Sequence, residues 1–468
     1  MGKTWKEGAA GAPSFPPKFN VMRKAVLQVT DIKTNRNKYY AIELHDAKTK
    51  FRVYTHYGRT DDLDNNPNAG VRELRYFTDF ESAEQEYDKI YKSKTSKTKG
   101  YKELALVSAK IGSKATIGKV SGDLDRATLD KLEERSKKVM TAQKANKPSK
   151  QMLSLDIANI IEYLYSEATK ALTSAVNANI TASGIETPLG VLTLGQIDKG
   201  QDILDEITKA FKSRTKDKAN KLTDLSGDFY TIIPHRFGRT RAAAQAAIIK
   251  SAAQINEKQD TLQLMRDMLN VNGDGGVLVS NEVDKKYGAL NCTFEALPPA
   301  EFKKMKAYIE GSTVKASVSV KNLWKIRRKG ELEVFTKDIG NKRQLFHGSS
   351  PKNWVGILSR GLLLPKIVTA LGVSRTDGGW LGNGIYFGDA ACTSKYYAAA
   401  GKRGTKFMTV AEVALGKMQE YRSITYGIEK PKKGYDSCWG VRGSSFSDDE
   451  YVIYDEKQQY LQYLVEFK

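Results

Sequence analysis

The period of the apolar residues changes twice along the 468-residue chain, and that change bounds the fold before any single motif is weighed. From about residue 21 to 115, "KYYAIEL" and "KFRVYTHYGR" are β-branched and aromatic runs joined by the polar stretch "HDAKT", which predicts a hairpin. After "VRELRYF", the stretch "SAEQEYDKIYKS" reads as a short helix, with Ser82 and Gln85 at capping-box spacing. Between 150 and 272 the period becomes helical. Ile157, Ile160, Ile161 and Leu164 form an i, i+3, i+4, i+7 stripe capped by Ser154. A second stripe of Ile197, Leu204 and Ile207 follows Thr193 and Gln196, again at capping-box spacing. From about 280 the pattern returns to strands, "TVKASVSVKNLWKI", "TKFMTVAEVAL", "EYVIYD" and "YLQYLVEFK", the last alternating Leu461, Tyr463, Val465 and Phe467 on one face.

No helical pattern alternates regularly with these last strands, so a doubly wound parallel nucleotide fold is not expected. The glycines of "GGWLGNG" also run in the wrong order for GxGxxG. The predicted fold class is multidomain α+β: a small β-sheet with one helix, an all-α bundle, and a mixed α+β domain of split antiparallel sheets. The predicted boundaries are a flexible N-terminal tail over 1–20, a first domain over 21–115, a linker with a charged helix over 116–149, the bundle over 150–272, and the last domain over 273–468. The linker reading rests on "GDLDRATLDKLEERSKKVM" followed by the polar, basic "TAQKANKPSKQ".

Composition narrows the function classes. Nowhere do eighteen apolar residues run together, and the N-terminus lacks the apolar core of a signal peptide, so neither membrane insertion nor secretion is expected. Cys292, Cys392 and Cys438 lie far apart with no CxxC pair, which argues against zinc fingers and a disulfide framework and fits a reducing compartment; no metal is expected. The net charge of +21 is uneven: residues 1–150 hold 31 Lys and Arg against 19 Asp and Glu, so a polyanion is expected to bind the first third. Within it, "YKSKTSKTKGYK" interleaves five lysines with tyrosines, suited to phosphate contact and stacking, or else to a plain solvated basic face.

The first segment resembles the WGR domain, the nucleic-acid-binding module found beside poly(ADP-ribose) polymerase catalytic domains, with "YGR" (Tyr57, Gly58, Arg59) where that family writes Trp-Gly-Arg. The resemblance implies that Tyr57 stacks at a DNA end and that Arg59 connects the module to its neighbours. With Lys92, Lys94, Lys97 and Lys99 these make the expected DNA-binding set. The bundle resembles the helical regulatory domain of the DNA-dependent poly(ADP-ribose) polymerases, through "TPLGVLTLGQI" and "LSGDFYTIIPHRFG". In that family the domain shields the NAD site until DNA is bound, and its last helix carries an acidic residue facing that site. Ungapped alignment places Arg266 there, with Asp267 beside it.

"LFHGSS", "GNGIYFGD" and "DDEYVIYD", in that order, resemble the ADP-ribosyltransferase domain of the same polymerases. The resemblance implies NAD+ as substrate, a catalytic triad of His347, Tyr386 and Glu450, and a binding set of His347, Gly348, Ser349, Tyr386, Ser394 and Tyr397. Tyr386 and Tyr397 are expected to sandwich the nicotinamide, Ser394 and Gly348 to meet its carboxamide, His347 to hold the ribose, and Glu450 to stabilise charge at the anomeric carbon. Three positions depart from the family: Asn383 and Thr393 stand where Lys is usual, and Leu363 takes an Arg position on the adenosine side.

The implied function is a DNA-break-stimulated, NAD-dependent ADP-ribosyltransferase that forms polymer and modifies proteins, itself included. The alternatives are a mono-ADP-ribosyltransferase of the same family and a DNA-binding scaffold with weak or no catalysis. The expected partners are broken DNA and protein acceptors, with no membrane; the chain is expected to be a monomer, nuclear in a eukaryote and cytoplasmic in a bacterium.

Overall fold

A computed structural model describes residues 3–113, 153–176, 178–181, 184–235, 240–271, 283–313, 316–365 and 379–468. The predicted linker and its charged helix lie outside them. The chain divides into two compact units, one of Met1–Ser154, Glu186–Gly200 and Thr223–Ile248, the other of Leu155–Ile185, Gln201–Leu222 and Ile249–Lys468.

The first unit is built on a six-stranded antiparallel sheet of β1 (Thr4–Lys6), β2 (Asn20–Asp31), β3 (Arg36–Asp46), β4 (Phe51–Arg59), β5 (Val71–Phe77) and β6 (Lys102–Glu103), in the order β1-β5-β4-β3-β2-β6. The predicted hairpin is β3 and β4. Helix α1 (Phe80–Thr95) lays Ala83 and Tyr87 against Ala25, Leu27, Ile42, Leu44 and Val53. Its cap is Asp79, whose carboxylate accepts from the Ser82 amide at 2.7 Å, so the helix starts before the predicted Ser82 cap. The predicted tail is also structured in part. Trp5 of β1 pairs opposite Leu74 under the Lys3 ammonium, and the Arg52 guanidinium sits over Phe15 and Phe19 at 4.1 and 4.7 Å. These aromatic anchors carry no periodicity and so leave no pattern in so short a segment.

Further strands β7 (Leu106–Ala109), β8 (Asn179–Thr181), β9 (Gly184–Glu186) and β10 (Gly190–Leu192) follow in the chain, and β10 pairs with β7. The predicted bundle is therefore interrupted by strands. Gly184, Pro188 and Gly190 break any helix there, and Thr187 donates its hydroxyl to the Gly190 carbonyl at 2.8 Å to close the turn. The helices of this region are α2 (Leu155–Ala175), α3 (Leu194–Lys212), α4 (Lys218–Ile232), α5 (Arg241–Ala246) and α6 (Ala252–Val271). Thr193 caps α3 by accepting from the Gln196 amide at 3.1 Å. The Gln196 side chain does not close the box; it accepts from Ala105 N–H and donates to the Ile232 carbonyl. Gly227 of α4 approaches β2 so closely that a Cβ would stand 2.8 Å from the Thr30 carbonyl oxygen, and Thr231 accepts from the Thr30 amide.

In the second unit α7 (Val283–Ala289), α8 (Pro299–Gly311), α9 (Glu331–Val334), α10 (Trp354–Arg360) and α11 (Ala391–Tyr397) surround a nine-stranded sheet. Its strands are β11 (Cys292–Ala296), β12 (Val320–Arg328), β13 (Lys342–Ser349), β14 (Ile385–Gly388), β15 (Lys406–Ala414), β16 (Met418–Tyr421), β17 (Ser437–Gly440), β18 (Glu450–Ile453) and β19 (Gln459–Phe467). The order is β11-β12-β19-β15-β13-β14-β18-β17-β16, antiparallel except for β16 with β17. The predicted split appears at one rung: β13 and β14 share only the pair Phe346 with Gly388. Helix α2 seals the sheet, Asp156 accepting from the Trp324 indole at 2.7 Å and Tyr163 lying 5.9 Å from Phe407.

Candidate active site

Strand register builds the site. Phe346 of β13 faces Gly388 of β14, and Gly388 in turn faces Glu450 of β18, so His347 and Glu450 reach the same level from strands two apart. Because β13 and β14 diverge beyond that rung, a pocket of about 300 Å³ opens between them. It is lined by His347, Gly348, Ser349, Tyr386, Ser394, Tyr397 and Glu450, so all seven residues expected from the sequence converge. Asp260, Lys352, Asn353 and Thr393 line it as well.

Each side chain is held from behind. The Tyr386 carbonyl can only accept, so the 2.8 Å contact with His347 Nδ1 is an Nδ1–H donation, which fixes the ring with its Nε2 edge turned away from that carbonyl. Gly348 is required by the protein itself: a Cβ there would sit 2.1 Å from the Ser394 carbonyl oxygen. Its closeness to α11 brings Ser394 and Tyr397 to the pocket. Asn353 donates to the Ser349 hydroxyl at 3.0 Å, and the Trp354 indole donates to the Ser349 carbonyl at 3.1 Å. The Tyr386 phenol is engaged at the back, accepting from Leu381 N–H at 2.8 Å and donating to the Gly382 carbonyl at 2.9 Å. Tyr386 therefore presents a ring, not a hydroxyl, to the cavity. Thr393 donates to the buried Asp448 carboxylate at 2.8 Å, which ties α11 to the loop leading into Glu450.

Arg266, aligned with the shielding acid, is not at the pocket; its guanidinium donates to Gln201 at 3.2 Å. The acid that lines the pocket is Asp260, nearly two turns earlier on α6. One side of Asp260 is exposed, while crowding by the pocket walls pushes its carboxyl up and the Lys352 ammonium draws it back down. Sequence reading missed both Asp260 and Lys352, since neither belongs to a motif.

In the other unit the expected DNA-binding residues separate into groups. Tyr57 stacks on Tyr40 with centroids 5.2 Å apart, and the Lys94 ammonium stands 3.9 Å from the Tyr40 centroid and 5.7 Å from those of Tyr57 and Tyr101. Burial, with Glu73 accepting from its hydroxyl at 2.9 Å, pushes the Tyr57 phenol up to about 12. Lys92, Lys97 and Lys99 are exposed, whereas Lys94 is half-buried on the rings. Arg59 turns back, to Asp61 at 2.9 Å and the Asn35 carbonyl at 3.0 Å. Lys38 and Arg75 add positive charge near Lys94 that the sequence analysis did not single out. Among the described residues no cluster of His, Cys, Asp and Glu is arranged to hold a metal, and no helix is long and apolar enough to cross a membrane.

The site lies on a split sheet, and the same chain also carries a helical segment and a basic module. Residues 299–445 match the poly(ADP-ribose) polymerase catalytic domain, 152–273 the poly(ADP-ribose) polymerase regulatory domain, and 23–106 the WGR domain. The chain belongs to the poly(ADP-ribose) polymerase family. It is 33% identical to the mouse protein mono-ADP-ribosyltransferase PARP4 over 67% of this chain, spanning only 16% of that much longer relative. It is also 28% identical to mouse protein mono-ADP-ribosyltransferase PARP3 (94% of this chain, 87% of the relative) and 27% identical to human poly [ADP-ribose] polymerase 2 (92% and 72%). The catalytic-domain match ends at residue 445, and Glu450, beyond it, pairs with Gly388 of β14.

Proposed function

We propose that this chain transfers ADP-ribose from NAD+ to proteins, itself included, and that broken DNA stimulates it. The observation that carries the reading is the meeting of His347, Tyr386 and Glu450 in one pocket through the register of β13, β14 and β18. The reaction breaks the bond between the nicotinamide nitrogen and ribose C1, the electron pair leaving with nicotinamide, and an acceptor oxygen then bonds to C1 and loses its proton. The transition state has oxocarbenium character, so a carboxylate beside the ribose lowers its energy. Glu450, buried at the start of β18, is that carboxylate. His347 hydrogen-bonds the ribose, Gly348 and Ser394 meet the carboxamide, Ser349 supports the loop, and the Tyr386 and Tyr397 rings bracket the nicotinamide. No metal takes part in this scheme.

The proposed domains are a WGR-like module over 21–115, a linker over 116–149, a helical regulatory domain over 150–272 and a catalytic domain over 273–468. DNA breaks are bound through Tyr57, Lys92, Lys97 and Lys99, with Lys94 ordering the aromatic platform. Arg59 braces that platform through Asn35 and Asp61. The regulatory segment is the proposed relay, because it supplies residues to both compact units. The protein acts as a monomer, in the nucleus of a eukaryote or the cytoplasm of a bacterium. Product length is proposed as polymer. The second reading, single ADP-ribose units, is favoured by Thr393, which stands where the family has Lys and whose hydroxyl is committed to Asp448, and by the names of two relatives.

Incubation of the purified protein with labelled NAD+, with and without nicked or blunt-ended DNA, tests the reading. Protein-bound label that rises with DNA supports it, and a ladder against a single band separates polymer from single transfer. No label on any protein under either condition leaves the scaffold alternative.

A further inference from the structure

Lys352 is the one lysine or arginine among the described residues lining the pocket. It lies on the short turn Pro351–Asn353 directly after the His347–Ser349 strand end and is half-buried there. The carboxyl it interacts with through charge is that of Asp260 on α6. Two arginines of α10 and β12 are committed elsewhere. Arg360 holds Asp267 and the Gly361 carbonyl, while Arg328 holds Glu331 and the carbonyls of Leu358 and Ser359. Leu363, which stands where the family has an Arg, is 37% exposed and outside the pocket lining.

A dinucleotide brings a doubly charged diphosphate into a cavity whose walls already hold the carboxyls of Asp260 and Glu450. Without a cation that diphosphate would be desolvated beside like charges. We propose that Lys352 binds the diphosphate of NAD+ in this chain, and that Asp260 on α6, which lines the same pocket, opposes it. The affinity for the dinucleotide is then set by the balance of two charges, one on the catalytic turn and one on the helical segment. Asp260 and Lys352 sense each other electrostatically without closing into a contact pair, and Glu257, on the same helix, adds a further negative charge near Asp260. This inference rests on the pocket being the NAD+ site.

Equilibrium binding of ADP-ribose and of nicotinamide, measured separately on the full chain by calorimetry, tests it without any transfer step. Lys352→Ala is expected to weaken ADP-ribose about tenfold, as for loss of one charge-assisted hydrogen bond, to flatten its salt dependence, and to leave nicotinamide within about twofold. Lys352→Arg should retain most of the affinity. Asp260→Asn should tighten ADP-ribose several-fold with Lys352 present and much less with Lys352→Ala. Unchanged ADP-ribose binding in Lys352→Ala, or equal loss of both ligands, overturns the assignment. Binding of neither ligand by the unaltered protein overturns the NAD+ reading itself.

Discussion

Arg360 grips Asp267 with two hydrogen bonds, Nε to Oδ1 at 2.6 Å and Nη2 to Oδ2 at 2.9 Å, and thereby fixes how α6 lies on α10. Asp267 is 2% exposed, and Gly356 of α10 leaves room for it: a Cβ at 356 would stand 2.0 Å from its carboxylate. Asp260 lies seven residues earlier on the same face of α6, so this pair also sets which acid meets the pocket. Arg360→Ala leaves a buried carboxylate without its ion partner and should cost about 3 kcal/mol in denaturant unfolding, partly recovered by adding Asp267→Asn. Gly356→Ala should cost about 1 to 3 kcal/mol by overpacking. If α6 restrains the site, both changes also raise transfer measured without DNA.

Glu450→Gln keeps the shape and removes the charge. It should cut label transfer by at least about a hundredfold while NAD+ affinity stays within a few-fold. His347→Ala should weaken NAD+ binding itself. Steady-state kinetics with a parallel binding titration separates the two, and equal losses of binding would refute this division of roles.

Tyr386→Phe removes only the hydroxyl that bridges Leu381 N–H and the Gly382 carbonyl, and keeps the ring. The expected cost is about 1 kcal/mol of stability, with NAD+ affinity retained within a few-fold, whereas Tyr386→Ala should lose binding. A phenylalanine variant that cannot bind NAD+ would give the hydroxyl a direct role.

Acid should destabilise the first compact unit through Glu43. Burial alone would raise this carboxyl, but His45 at 2.8 Å and Lys24 at 2.8 Å hold it down to about 2. A folded value below the unfolded one contributes stability above pH about 4.3, lost as pH falls toward 2. Burial lowers His45 below its ordinary range, so its contribution has the same sign and begins to fade below pH about 6.5. Acid titration followed by circular dichroism should show a shallower loss in Glu43→Gln, from a lower starting stability.

Arg59→Ala should blunt stimulation by DNA more than it lowers the basal rate, because Arg59 braces β4 through Asn35 and Asp61 and lies far along the chain from the pocket residues. Rates with and without nicked DNA decide it; equal losses in both would place Arg59 in overall stability alone.

Much of this was legible in residue order. Ile157, Ile160, Ile161 and Leu164 are buried as their stripe requires, and His347, Tyr386 and Glu450 stand within strand and turn signatures whose local geometry is set by near neighbours. The strand interruption at 179–192 was less so, because its pairing with β7 depends on residues far off in the chain. What sequence by itself determined is the set of chemical groups and the elements that carry them, since side-chain period and turn chemistry act over a few residues. Only the tertiary structure decided which groups face one another. Asp260 rather than Arg266 meets the pocket because the Arg360 clamp and the missing Cβ of Gly356 fix the rotation of α6, and such packing is a property of two surfaces that neither segment encodes alone.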